Sequence, residues 1–161
     1  MRWVTLVLAT LLLVGGAALG TLRMGTNFEH AKTMQKDLDT ASKVLPLLGK
    51  NHKLVKQIES YKGKPSRVKL GGVLLLIAAL AALCLLVFTF IKSSSFVLYG
   101  SIGLLVLLAA VVVINPDYVT GATSAASARL ASYIVAIPLA IGGLLALASD
   151  RLRLRKQSAA A

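Results

Sequence analysis

Cysteine, histidine and acidic residues are all scarce in this chain of 161 residues. Its single cysteine, Cys84, rules out an intramolecular disulfide, so cysteine usage does not indicate a redox compartment. The two histidines, His30 and His52, lack the spacing and the neighbouring cysteines of a metal site, and we therefore predict no bound metal. Only 6 Asp and Glu residues oppose 18 Lys and Arg residues, which gives a net charge of +12. A balance this basic favours anionic partners.

Motifs for catalysis and nucleotide binding are absent as well. The sequence has no phosphate-binding loop, no nucleophile elbow and no zinc-protease motif. The serines at 93–95 have no accompanying base and indicate a turn. We predict a protein that is not an enzyme, has no catalytic residues and needs no cofactor. A weaker alternative is a membrane enzyme whose site lies at the interface and uses Asp117, Tyr118 or Asp150.

What the chain does have is four long apolar runs, and hydrophobic residues make up 57% of it. A helix rises about 1.5 Å per residue, so about 20 residues cross a hydrocarbon core of about 30 Å. After Arg2 the runs contain no Asp, Glu, His, Lys or Arg, which argues against a pump or a coupled transporter. We predict an all-α membrane protein, a four-transmembrane-helix bundle, with spans at residues 1–22, 70–91, 96–114 and 130–149.

Two of the spans carry small residues at helical spacing. Gly16 and Gly20 form a G-x-x-x-G pair in the first span, and Ser132, Ala136 and Ala140 recur every four residues in the fourth. Small side chains let helices approach closely in lipid, where burial of apolar surface does not drive association. We predict that these residues mediate helix packing, although the G-x-x-x-G spacing also arises by chance in spans rich in Gly and Ala.

The topology prediction rests on the two ends of the chain. We interpret the first span as an uncleaved signal-anchor, and the alternative is a secretory signal peptide cleaved after Ala18. Four spans place both termini on one face of the membrane. The N-terminal anchor and the basic tail at 150–161 favour a cytoplasmic position for both termini in a cell (inner) membrane, whereas the larger number of Lys and Arg residues in the first loop favours the reverse. We prefer the first orientation.

Residues 23–69 form the one sizeable extramembrane segment that we predict, with eleven basic and four acidic residues and hence a net charge of +7. Residues 26–29 match a capping box, which predicts a helix start there. From 28 to 48 apolar residues recur every three or four positions, and a shorter helix at 54–61 follows a break at Pro46. We expect the apolar faces of this basic, amphipathic segment to be covered by each other, by the membrane interface or by a partner protein.

Seven cations in the second half of this segment are candidates for a binding patch. Such a patch suits anionic lipid head groups, a polyanionic polymer or an acidic partner. We predict no nucleic-acid partner, because aromatic residues are nearly absent from the stretch and no nucleic-acid-binding motif occurs. The patch comprises Lys50, Lys53, Lys56, Lys62, Lys64, Arg67 and Lys69.

Prolines shape the prediction for the last third of the chain. Asn115 and Pro116 end the third span and open a polar loop at 115–129. Pro138 lies near the middle of the fourth span, where it removes one backbone hydrogen bond and predicts a kink.

These features favour a structural or accessory subunit that packs into a larger membrane complex or a homo-oligomer through its small-residue helix faces and its basic segment. Membrane lipids and other membrane subunits are the expected partners. The alternative is a small oligomeric channel lined by Ser and Thr from several copies, for which Thr10, Thr89 and Ser101 are scattered rather than aligned.

Overall fold

The described part of the chain folds into five helices. A computed structural model describes residues 2–44, 53–91, 94–116 and 128–158. The predicted break at Pro46, Lys50 of the predicted patch and most of the loop at 115–129 lie outside these residues. The helices are α1 (Arg2–Val44), α2 (Lys53–Tyr61), α3 (Lys64–Ile91), α4 (Ser94–Ile114) and α5 (Ala128–Ser158).

Four of these helices, α1, α3, α4 and α5, are long and apolar enough to cross a membrane. They pack as an antiparallel bundle in which the order around the circumference is α1, α3, α4, α5. Gly20 of α1 lies beside Leu75 of α3 and Val135 of α5, and Phe88 of α3 stacks on Phe96 of α4 with ring centroids 4.9 Å apart. The chain is an integral membrane protein, and the predicted fold class is confirmed.

The bundle interior is apolar, and each of the four spans contributes to it. Small side chains such as Ala9, Ala78 and Ala146 are fully buried between the larger ones and let the helices approach closely. The outer surface consists mainly of exposed Leu, Val and Ile side chains, which lipid covers. The large side chains buried in the core are Leu13, Leu75, Leu85, Leu104, Val111, Val135 and Leu139.

Two clusters of buried polar residues mark the ends of the apolar part of the bundle. One contains Ser94 and Asp150, and the other contains Asn115 and Ser132. About 20 residues of α4 and of α5 separate the two levels, which corresponds to about 30 Å and matches the hydrocarbon thickness of a bilayer. The two clusters therefore give the approximate positions of the membrane boundaries.

Helix α1 does not stop at the membrane boundary. The predicted helix start at 26–29 is wrong, because α1 (Arg2–Val44) is one continuous helix through these residues. Thr26 does not cap a helix; its hydroxyl donates to the carbonyl of Arg23 at 2.9 Å, one turn back in the same helix. The physical reason is that no proline separates the apolar run from the amphipathic run, and a single glycine costs a helix only about 1 kcal/mol.

The extension of α1 packs against the start of α3 rather than chiefly against α2. Ala31 and Val68 are fully buried against each other, and Met34 packs on them. This contact can form because α3 begins at Lys64, more than a turn before the apolar run at 70–91. Helix α2 also contacts α1. At the base of the extension, the apolar face of α1 is therefore covered by the first turns of α3.

The C-terminal basic tail is helical over its described part, since α5 continues to Ser158. Pro138 lies inside α5, and the helix continues on both sides of it. Pro65 follows the first residue of α3, a position at which proline is tolerated because its missing N–H has no partner within the helix.

Candidate functional site

Asn115 is the centre of the polar cluster on the side of the α1 extension, which we call the asparagine cluster. It follows the last residue of α4 and is fully buried. Its Nδ2 donates to Oγ of Ser132 on α5 at 2.6 Å, and its own carbonyl accepts from Nε of Arg129 at 3.2 Å. These contacts join the end of α4 to the beginning of α5 across a polar loop.

The asparagine cluster depends on two adjacent glycines of α3. The carboxamide of Asn115 occupies the space that a side chain on Gly71 would need. A side chain on Gly72 would lie 3.3 Å from Cβ of Asn27, which is also buried. Neither Oδ1 of Asn115 nor Nδ2 of Asn27 has a hydrogen-bond partner among the described residues. The Gly71–Gly72 pair therefore lets two buried asparagines, from α4 and α1, approach the backbone of α3.

The second cluster, at the other end of the bundle, is built around Asp150, and we call it the aspartate cluster. Oδ2 of Asp150 accepts from the hydroxyl of Ser94 at 2.5 Å, and Oδ1 contacts Nη2 of Arg153 at 2.8 Å. Asp150 is 5% exposed and Arg153 is 8% exposed. The first residue of α4 is thereby tied to α5, and a buried carboxylate is neutralised within one helical turn.

The aspartate cluster ties helices of the same chain to each other. Both oxygens of Asp150 are engaged, by Ser94 and Arg153. Asp117 and Tyr118, the other residues of the interfacial-enzyme alternative, lie outside the described residues. Among the residues that the structure describes, no group of three or more His, Cys, Asp or Glu side chains could hold a metal ion.

The predicted packing residues lie at contacts between helices of the same chain. A Cβ on Gly16 would lie 2.6 Å from Cδ2 of Leu139, and Gly20 lies against α3 and α5. Ser132 and Ala136 are buried, and Ala140 packs at the edge of the core. Their faces are occupied inside the bundle, so a partner helix would have to use other surfaces.

The described members of the predicted basic patch are spread over two helices. Lys53 begins α2, and Lys56 is exposed on it. Lys62 is exposed in the turn that follows, and Lys64 lies with its Nζ 3.8 Å from the centroid of the Tyr61 ring. Arg67 and Lys69 are exposed on the first turns of α3.

Sequence reasoning missed several polar contacts. Ser94 looked like a turn residue and Arg153 like a member of the basic tail, yet both bind Asp150. The spacing of three residues between Asp150 and Arg153 is a signal that could have indicated the pair. Ser101, whose hydroxyl donates to the carbonyl of Gly143 at 3.2 Å in the middle of the bundle, left no comparable signal.

Comparison with known proteins finds no matching family model, no similar curated protein and no similar solved structure.

Proposed function

We propose that the protein is a non-enzymatic structural or accessory subunit of a membrane assembly, and that the extension of α1 is the element that contacts a partner protein. We call residues 28–44 of α1 the arm. The observation that carries the proposal is the continuity of α1, which at about 1.5 Å per residue extends the arm about 25 Å beyond the membrane boundary.

The apolar face of the arm is only partly covered by its own chain. At its base Ala31 is fully buried against Val68. Met34 packs on this pair, and further out Leu38 and Ala41 are half-buried. Apolar surface outside the membrane gains free energy when a partner removes it from water. The half-buried outer part of this face is therefore the region at which we expect a partner to bind.

The small-residue faces of the first and fourth spans also favour the arm as the partner-binding element, because these faces are already occupied within the bundle. Gly16, Gly20 and Ser132 contact helices of the same bundle, and the lipid-facing surface carries mainly large apolar side chains. Large side chains are less suited than small ones to close packing of helices in lipid. We therefore assign partner binding to the arm first and to the membrane faces second.

The channel alternative ranks below this proposal. The described interior of the bundle is filled by apolar side chains, and Ser101 uses its hydroxyl on the backbone of Gly143. A conducting path would have to be formed between copies, along surfaces that are mainly Leu, Val and Ile. No contact among the described residues of the bundle favours such a path.

The test of the accessory role is the native composition of the assembly. After extraction in mild detergent from its own membrane, the chain should run in a defined complex with other proteins, well above its own mass of 16.9 kDa. Replacing two half-buried residues of the arm, as Leu38→Glu with Ala41→Glu, should release the chain from the complex because charges would enter the contact.

The matched control changes the exposed polar side of the same arm, as Thr33→Glu with Thr40→Glu, and should leave the complex intact. Both variants should keep the thermal stability of the isolated chain. A complex that survives Leu38→Glu with Ala41→Glu would contradict the role of the arm. A pure homo-oligomer would favour the channel alternative, and a monomer would overturn the accessory role.

We also propose that both termini are cytoplasmic and that the arm lies on the opposite side of the membrane. In a chain whose Cys84 is replaced by alanine, Lys36→Cys in the arm should be labelled by an impermeant thiol reagent in intact cells. Gln157→Cys near the end of α5 should be labelled only after lysis. Both sites are exposed, so accessibility depends on the side of the membrane. The reverse labelling pattern would overturn the orientation.

A further inference from the structure

Four cationic side chains, on three of the four spans, lie near the boundary marked by the asparagine cluster. Arg67 and Lys69 are exposed on α3, within a few residues of Gly71. Arg129 on α5 is one turn from Ser132 and contacts the carbonyl of Asn115. Arg23 on α1 is half-buried one turn from Asn27, and its long side chain can extend along apolar surface to the head groups. We call these four residues the collar.

The surface below the collar suits acyl chains. Val73, Ile77 and Leu80 follow Lys69 along the outer face of α3 and are 40%, 45% and 55% exposed. A lipid whose head group lies at Lys69 would therefore have its acyl chains along a continuous apolar strip of the same helix. The single described acidic residue near this level, Glu29, is exposed on α1.

We propose that the collar binds the head groups of anionic phospholipids in the leaflet on the side of the arm. The charges are complementary, and a lipid phosphate in this leaflet lies within about one Debye length, about 8 Å at physiological salt, of the collar cations. A charged group further along the arm, such as Lys36 or Lys43, lies beyond that distance. The inference concerns a different surface from the arm and stands whether or not the arm binds a protein.

The experiment compares lipids around the chain in bilayers. The wild-type chain is reconstituted in phosphatidylcholine bilayers that contain a trace of spin-labelled phosphatidylglycerol or of spin-labelled phosphatidylcholine, and the association constant of each lipid with the protein is measured. We expect the wild type to prefer phosphatidylglycerol. Arg67→Gln with Lys69→Gln should lower that preference at least fivefold, because each cation near the surface contributes about a fivefold factor.

The matched control removes the same charge further from the membrane, as Lys36→Gln with Lys43→Gln, and should keep the wild-type preference. A charge-conserving variant, Arg67→Lys with Lys69→Arg, should keep it as well. Raising the salt to about 1 M, where the Debye length falls to about 3 Å, should reduce the wild-type preference to that of the collar variant.

Two results would overturn the inference. An unchanged preference in Arg67→Gln with Lys69→Gln would mean that the collar does not bind the head groups. An equal loss in the distant control would mean that net charge, rather than the collar, determines the preference. Because the salt titration uses the unmodified chain, it tests the inference even where a variant fails to fold.

Discussion

Replacing Gly71 by alanine is expected to destabilise the bundle by about 2–4 kcal/mol, whereas a Gly→Ala change inside a helix normally stabilises it. The new Cβ would occupy the position of the Asn115 carboxamide. The carboxamide would have to move, which would break its 2.6 Å hydrogen bond to Ser132 and leave buried polar groups without partners. The measurement is the temperature at which half of the purified chain loses its monodisperse elution in detergent.

The same substitution at an open position is the control. Gly15 has no heavy atom within 4 Å of the position of a Cβ, so Gly15→Ala should leave stability unchanged or raise it by up to about 1 kcal/mol through helix propensity. Combining Gly71→Ala with Asn115→Ala removes the clash, and the double variant should lose less stability than the sum of the two single variants. Equal behaviour of Gly71→Ala and Gly15→Ala would disprove the contact.

Replacing Asp150 by alanine is expected to lower the free energy of unfolding by about 3 kcal/mol. Arg153 is 8% exposed and would keep a buried charge with its ionic partner removed, which is the costly way to break a buried pair. The hydrogen bond from Ser94, which ties the start of α4 to α5, would be lost in the same variant. The same elution measurement, made over a temperature series, gives the loss of stability.

The double variant separates the missing ion pair from a general effect of the substitution. Asp150→Ala with Arg153→Leu leaves no unpaired charge, and replacing a buried pair by apolar residues is often tolerated, so most of the stability should return. Arg151→Ala changes an exposed arginine at the same end and should alter stability by less than about 0.5 kcal/mol. A double variant as unstable as Asp150→Ala alone would mean that the pair is not what stabilises this end.

The four spans could be predicted from the sequence because membrane thickness sets only the number of consecutive apolar residues that a span needs. About 20 apolar residues in succession meet it whatever their neighbours are, and the runs at 70–91 and 96–114 are that long. The order of the helices around the bundle did not follow from length. It depends on which faces fit, as where Gly20 lies between α3 and α5.

The start of a helix at 26–29 was predicted incorrectly because a capping box is a local signal. Whether a helix ends is decided by the whole stretch, and packing of Ala31 on Val68 favours continuing α1. The polar clusters were missed for a related reason. Ser94 and Asp150 are 56 residues apart, and Asn115 and Ser132 are 17 apart, so their contacts depend on helix register, which the sequence does not state.

The continuity of α1 couples the orientation of its membrane-spanning part to that of the arm. A helix without a break between membrane and water is a stiff rod, so a change in the tilt of its membrane part is transmitted to the arm. Membrane helices adjust their tilt when the thickness of the bilayer changes. For an arm about 25 Å long, a tilt of about 10° displaces the end near Val44 by about 4 Å. A change in bilayer thickness that altered the tilt of α1 would therefore move the outer surface of the arm.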